Sequence, residues 1–135
     1  MSSSDMPALL LALRESVPQA MRERPQWLLW RYRHFEGEPK PRKVPHWASG
    51  RKRRGVQGGV DDRRELVGFE PALAQLAQGR YDGLGFAFLP GDGLIGIDID
   101  GAIDAETGEV SARCQAIIDA CASYTEYSPS GRGVH

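Results

Sequence analysis

Apolar positions in this chain come in short runs broken by Gly, Pro and charge, and the period of each run points to an element. Residues 26–32 (QWLLWRY) are aromatic and apolar behind Pro25, the pattern of a buried strand. Residues 8–21 hold two short helical patterns divided near Pro18. Phe69, Leu73, Leu76 and Ala77 share one helical face, with Pro71 in the first turn and Gly79 placed to end it. Val110, Cys114, Ile117, Ile118 and Cys121 recur at the spacing of an amphipathic helix, with Ser111 near its start. Residues 84–89 and 94–100 read as two strands joined by Pro90-Gly91-Asp92-Gly93, and 124–127 as a further strand. A short strand at 43–47 lies inside a Gly-, Pro- and cation-rich loop running from 37 to 59, and residues 1–5 are polar and expected to fray.

Together these elements predict a mixed α/β (α+β) fold. Its largely antiparallel sheet has residues 84–100 as a central hairpin, with helices packed on one face. Residues 1–25 form an N-terminal helical segment and 26–135 the main domain.

The hairpin carries the most chemistry. Alternation along a strand turns Ile95, Ile97 and Ile99 to one face, buried against helices, and Gly96, Asp98 and Asp100 to the other. The two carboxylates then sit about 7 Å apart at their α-carbons, a spacing that suits one or two Mg²⁺ or Mn²⁺ ions held through oxygen. If Leu89 pairs with Leu94, then Phe88 faces Ile95, Phe86 faces Ile97, Ala87 faces Gly96 and Gly85 faces Asp98. The acidic face is then lined by small residues that leave room for a substrate. The alternative for the same tripeptide is a solvated strand end.

Downstream, Ser128-Pro129-Ser130-Gly131-Arg132-Gly133-Val134-His135 is a small-residue loop behind a strand. Its glycines bring backbone N–H groups close to phosphate oxygens. Ser128 and Ser130 add hydroxyls, Arg132 a cation, and His135 a donor to a phosphate or a developing oxyanion. The competing reading is an ordinary Pro-Ser-Gly turn with a surface histidine.

At 135 residues the chain is one domain or part of one, and 41% hydrophobic content is enough for a core. A net charge of −1 shows no global bias toward nucleic acid or membrane. That average hides Lys40, Arg42, Lys43, Arg51, Lys52, Arg53 and Arg54, with no acid among them. The segment suits a nucleic-acid backbone or a triphosphate, with His46 and Trp47 available to stack on a base, or it is a solvated loop. Lys43, between Pro41 and Pro45, is its most constrained cation and the best placed for a substrate contact. Trp27 and Trp30 belong to the core. Cys114 and Cys121, on the apolar helix face, read as core thiols rather than a disulfide framework. That fits a reducing cytoplasmic setting. Nothing is long and apolar enough to span a bilayer, so no membrane partner is expected.

Tyr81-Asp82-Gly83-Leu84-Gly85-Phe86, Gly96-Ile97-Asp98-Ile99-Asp100, Ser123-Tyr124-Thr125-Glu126 and Ser128-Pro129-Ser130-Gly131 with Gly133 and His135, in that order, resemble the bifunctional DNA primase/polymerase N-terminal domain of the archaeo-eukaryotic primase superfamily. Trp27, Trp30 and Lys43-Val44-Pro45 look like that family's N-terminal part, so the resemblance runs from about Trp27 to His135. It implies template-directed synthesis of primers or DNA in phage or plasmid replication. Asp98 and Asp100 match the family's metal ligands. Ser130 and His135 match its nucleotide-phosphate motif, with Gly131, Arg132 and Lys43 as further phosphate contacts. It also implies nucleoside triphosphates and a single-stranded DNA template as partners, Mg²⁺ or Mn²⁺ as cofactor, and a helicase domain or subunit alongside. The family's third acidic motif lies on a later strand, beyond His135. The chain is therefore expected to be a C-terminally cut domain with weak or no polymerase activity by itself. Two other classes stay open: a non-catalytic nucleic-acid-binding module built on residues 40–54, and another metal-dependent phosphoryl-transfer enzyme such as a nuclease or nucleotide hydrolase.

Overall fold

The computed structural model describes residues 5–135, so the polar N-terminal stretch read as frayed lies mostly outside the described residues. The element order is α1 (Met6–Ser16), α2 (Gln19–Arg22), β1 (Trp27–Arg33), β2 (Arg42–His46), α3 (Val60–Glu65), α4 (Phe69–Ala77), β3 (Gly83–Phe86) and α5 (Ala112–Cys121). The fold is mixed α/β, as the pattern of apolar runs indicates. The chain forms two compact units, one up to Gly93 and one from Leu94 to His135.

The first unit is built on a three-stranded antiparallel sheet in the order β2-β1-β3. Strand β1 is central because its first half is apolar on both faces: Trp27, Leu28 and Leu29 are all buried. On one face, Trp27 and Leu29 pack with Phe69, Ala72, Leu73 and Leu76 of α4 and with Val17. These α4 positions recur at three- and four-residue intervals, so a single stripe covers the sheet. Pro71 in the first turn loses no helical hydrogen bond. Gly79, at φ +80°, donates to the Leu76 carbonyl at 3.0 Å where the helix ends. The Trp27 ring meets Phe69 and Phe86 edge-on at 5.1 and 5.0 Å. Full burial of side chains of this size is worth about 1.5–3 kcal/mol each. On the other face, Leu28 joins Trp47, Leu66, Ala87 and Leu89.

The expected central hairpin over 84–100 is not formed. Gly83–Phe86 pairs instead with Trp27–Trp30, and the pairing runs on as the Ala87 N–H donates to the Gln26 carbonyl at 2.8 Å. Gly85 lies opposite Leu28, and a β-carbon there would stand 3.3 Å from that side chain. Its small size makes room for Leu28 and not for a substrate. The Pro90-Gly91-Asp92-Gly93 stretch closes on itself and on Gln26, just before β1. The Asp92 carboxylate accepts from the Leu89 N–H at 2.8 Å and from the Gln26 amide at 3.0 Å.

The second unit holds α5 and a set of single β-bridges. Ser111 caps α5, its hydroxyl accepting from the Cys114 N–H at 3.2 Å. Its small core is Ala102, Cys114 and Val134 with Ile99, Ile103, Val110 and Ile118 around it. Residues 94–98 are not in a strand, and the alternating isoleucines are not buried: Ile95 is 86% and Ile97 45% exposed. Ile99 alone joins the core side. Cys121 is exposed, against its reading as a core thiol. Residues 124–127 contribute one bridge, Tyr127 to Val134, rather than a continuous strand.

Candidate functional site

Val134 organises the site in the second unit, being bridged to Ile99 on one side and to Tyr127 on the other. Ile99 and Val134 exchange both backbone hydrogen bonds, at 2.9 and 3.0 Å. Glu126 and His135 do the same at 2.9 Å each. Their side chains flank this ladder. His135 Nε2 lies 3.5 Å from Asp98 Oδ1, and Nδ1 lies 3.3 Å from Glu126 Oε1. Two residues chosen from separate motifs, Asp98 and His135, are thus neighbours. Glu126, which ends the Ser123-Tyr124-Thr125-Glu126 motif, joins them: it lies nine residues before His135 in a stretch that turns back on itself at Pro129.

Asp98 and Asp100 do not stand side by side on a strand face. Asp98 precedes the bridged Ile99, and Asp100 enters a turn with Gly101, whose φ is +64°. Both are exposed. As oxygen donors they are the right kind for Mg²⁺ or Mn²⁺. Their number is short, since among the described residues no three His, Cys, Asp or Glu side chains converge as a metal cluster.

The glycine-serine loop is a closed turn. Gly131, at φ +75°, donates to the Ser128 carbonyl at 2.8 Å. Ser128 Oγ accepts from the Gly133 N–H at 3.0 Å and lies 3.0 Å from Ser130 Oγ, which accepts from the Arg132 N–H at 3.3 Å. The N–H groups of residues 131–133 are therefore used inside the loop. What the loop offers outward is the side chains of Ser130 and Arg132, both exposed. Gly133 is needed for close approach: a β-carbon would stand 2.9 Å from the Ile99 carbonyl oxygen.

Lys43 lies in the first unit, with Nζ 5.7 Å from the centre of the Trp30 ring. Around it the basic segment is largely tied down. Asp62, 2% exposed, accepts from Trp47 Nε1 at 2.9 Å, from Arg53 at 2.9 and 2.6 Å, and from the Gly58 N–H at 2.8 Å. The Arg53 guanidinium holds the Asp62 carboxyl far below the usual carboxylate range, against the opposing effect of burial. Arg51 pairs with Glu65, and Arg42 with Glu38. Trp47 and His46 are 4% and 3% exposed. Neither is available to stack on a base, and that expectation is corrected. An open cleft of about 840 Å³ lies beside this network, lined by Trp47, Arg51, Arg54, Val56, Val60 and Glu65 among others.

No protein-family profile matches the chain. The chain is similar to a DNA primase-polymerase of Nitratiruptor phage NrS-1. The two are 26% identical over 110 residues, a match that covers 82% of this chain and 14% of the phage protein's length. Among the described residues no helix is long and apolar enough to cross a membrane.

Proposed function

We propose that this chain belongs to a metal-dependent DNA primase/polymerase, which builds primers or DNA from nucleoside triphosphates on a single-stranded template. The likeness to the phage primase-polymerase over most of the chain carries the reading. The approach of His135 to Asp98 supports it, because a carboxylate and an imidazole at one edge of a serine-glycine turn can serve a metal and a triphosphate together. In this reading Asp98 and Asp100 hold Mg²⁺ or Mn²⁺, which supplies charge neutralisation at the triphosphate. Ser130 and Arg132 meet phosphate oxygens, Gly131 closes the turn that presents them, and His135 donates a hydrogen bond to a phosphate oxygen while Glu126 orients its ring. Lys43, in the first unit, is proposed as a phosphate contact in its own right. A helicase domain or subunit is the proposed companion in the replication of a phage or plasmid.

The test is Mn²⁺-dependent binding of a fluorescent dNTP by the chain, together with extension on a primed single-stranded template. Metal-dependent binding that Asp98→Asn removes is expected, with weak synthesis, since two carboxylates hold one ion and leave a second ion without its ligand. Shortened strands or released phosphate would instead identify a nuclease or nucleotide hydrolase. Nucleotide binding unchanged by metal and by Asp98→Asn would refute the reading and favour a non-catalytic nucleic-acid-binding module.

A further inference from the structure

The sheet register gathers cations that are scattered in sequence. Directly paired residues of an antiparallel ladder share a face, so Arg31 opposite Val44, Arg33 opposite Arg42, and Leu29 opposite His46 all lie on one side of the sheet. His46 is also bridged to Lys52. Arg31, Arg33, Arg42 and Lys52 therefore lie on one face of the sheet, the face that α4 covers over Trp27 and Leu29. Val44 and His46, both buried, lie on the same face among them. Arg33, Arg42 and Lys52 are exposed and Arg31 is half-buried. Glu38 neutralises Arg42. Among the described residues no carboxylate pairs with Arg31, Arg33 or Lys52, and the buried Nε of Arg31 has no hydrogen-bond partner. The field of these cations is felt at His46, whose pKa is lowered first by burial and further by Arg31, Arg33 and Lys52. This contrasts with Arg51 and Arg53 on neighbouring positions, whose charges are spent on Glu65 and Asp62.

We propose that Arg31, Arg33 and Lys52 form a binding surface for the phosphodiester backbone of single-stranded nucleic acid. Arg31 and Arg33 stand about 7 Å apart along β1, with Lys52 across β2, and unneutralised cations spread in this way match a polymer that carries one negative charge per nucleotide. A lone triphosphate would need them to converge on one point. The inference rests on the primase-polymerase reading for the choice of polymer, but its residues are separate from Asp98 and His135. Asp98→Asn is expected to leave strand binding intact, so the two readings fail independently.

The experiment is fluorescence anisotropy of a labelled 20-nucleotide dT strand with the chain, over a salt series. Each phosphate contact on a single strand contributes about 0.7 to the slope of log K against log salt. The double variant R33Q/K52Q, altered only at exposed positions, is expected to lower that slope by about 1.4 and to weaken binding about 25-fold at 0.1 M salt. Adding Arg31→Gln is expected to bring the loss to about 2, with circular dichroism confirming the fold. R80Q, an exposed cation elsewhere, is the control and is expected to leave the slope unchanged. An unchanged slope in folded R33Q/K52Q would overturn the proposal. So would an equal loss in R80Q, or binding of phosphatidylserine vesicles without binding of the strand.

Discussion

Replacing Gly133 with Ala tests how the Asp98–His135 pair is held. Its φ is not in the left-handed region, so alanine meets no backbone penalty there. The obstacle is purely one of space. The new β-carbon would lie 2.9 Å from the Ile99 carbonyl oxygen and 3.2 Å from Ser128 Oγ. The serine can rotate; the carbonyl cannot, because it accepts the Val134 N–H at 3.0 Å. Relief therefore requires Ile99 and Val134 to separate, and their two backbone bonds weaken together. At about 0.5–1.5 kcal/mol for each such bond, the expected cost is about 1–3 kcal/mol. Amide hydrogen exchange reads this directly. Protection at Ile99 and Val134 is expected to fall about 5- to 150-fold, with Ala87 in the first unit unaffected. If the proposed site is correct, Mn²⁺-dependent nucleotide binding falls with it. Unchanged protection at both amides would refute the reasoning.

Asp62→Asn is expected to destabilise the first unit by about 3–5 kcal/mol, since it leaves Arg53 paired to no charge in a buried setting; urea unfolding followed by tryptophan fluorescence measures it. The same carboxyl sets an acid limb. Its folded pKa is depressed by Arg53, so its contribution is fully present above the ordinary value near pH 4 and is lost as pH falls toward the folded value. The slope of stability between about pH 4 and pH 2 is expected to flatten in Asp62→Asn. Ala122 ends α5 at φ 45°, where glycine has no steric cost, so Ala122→Gly is expected to raise the melting stability of the second unit by about 0.5–1 kcal/mol. A thiol reagent is expected to label Cys121 rapidly and Cys114, 1% exposed, only on unfolding, which mass spectrometry resolves.

The elements whose character is local were legible. Trp27–Arg33, Phe69–Ala77 and Ala112–Cys121 carry their own period and end signals, and the structure places each close to its expected span. What could not be read was the choice of partner. Residues 84–89 and 94–100 alternate as a hairpin would, but alternation describes a strand's faces and not its neighbour. Leu28 filling the space over Gly85 makes β1 the partner. The isoleucines then lose the burial that the hairpin would have provided. The basic segment misled for a related reason: counting its cations ignores Asp62 and Glu65, which arrive on α3 and neutralise Arg53 and Arg51. At the candidate site, the chemistry of Asp98 and His135 is legible in separate motifs, and the bridge of Ile99 to Val134 makes them neighbours.

That bridge also has a history in folding. Tyr127 and Val134 are seven residues apart, whereas Ile99 and Val134 are thirty-five apart and enclose α5. Closing the longer loop costs about 1.4 kcal/mol more in chain entropy than closing the shorter one. The turn around Pro129 is therefore expected to form before Ile99 docks onto it, and opening to release Asp98 from His135 while the turn survives. A ligand that spans the two side chains acts as a cross-link on the wider loop, and its binding energy is felt as the closure of the last rung to form.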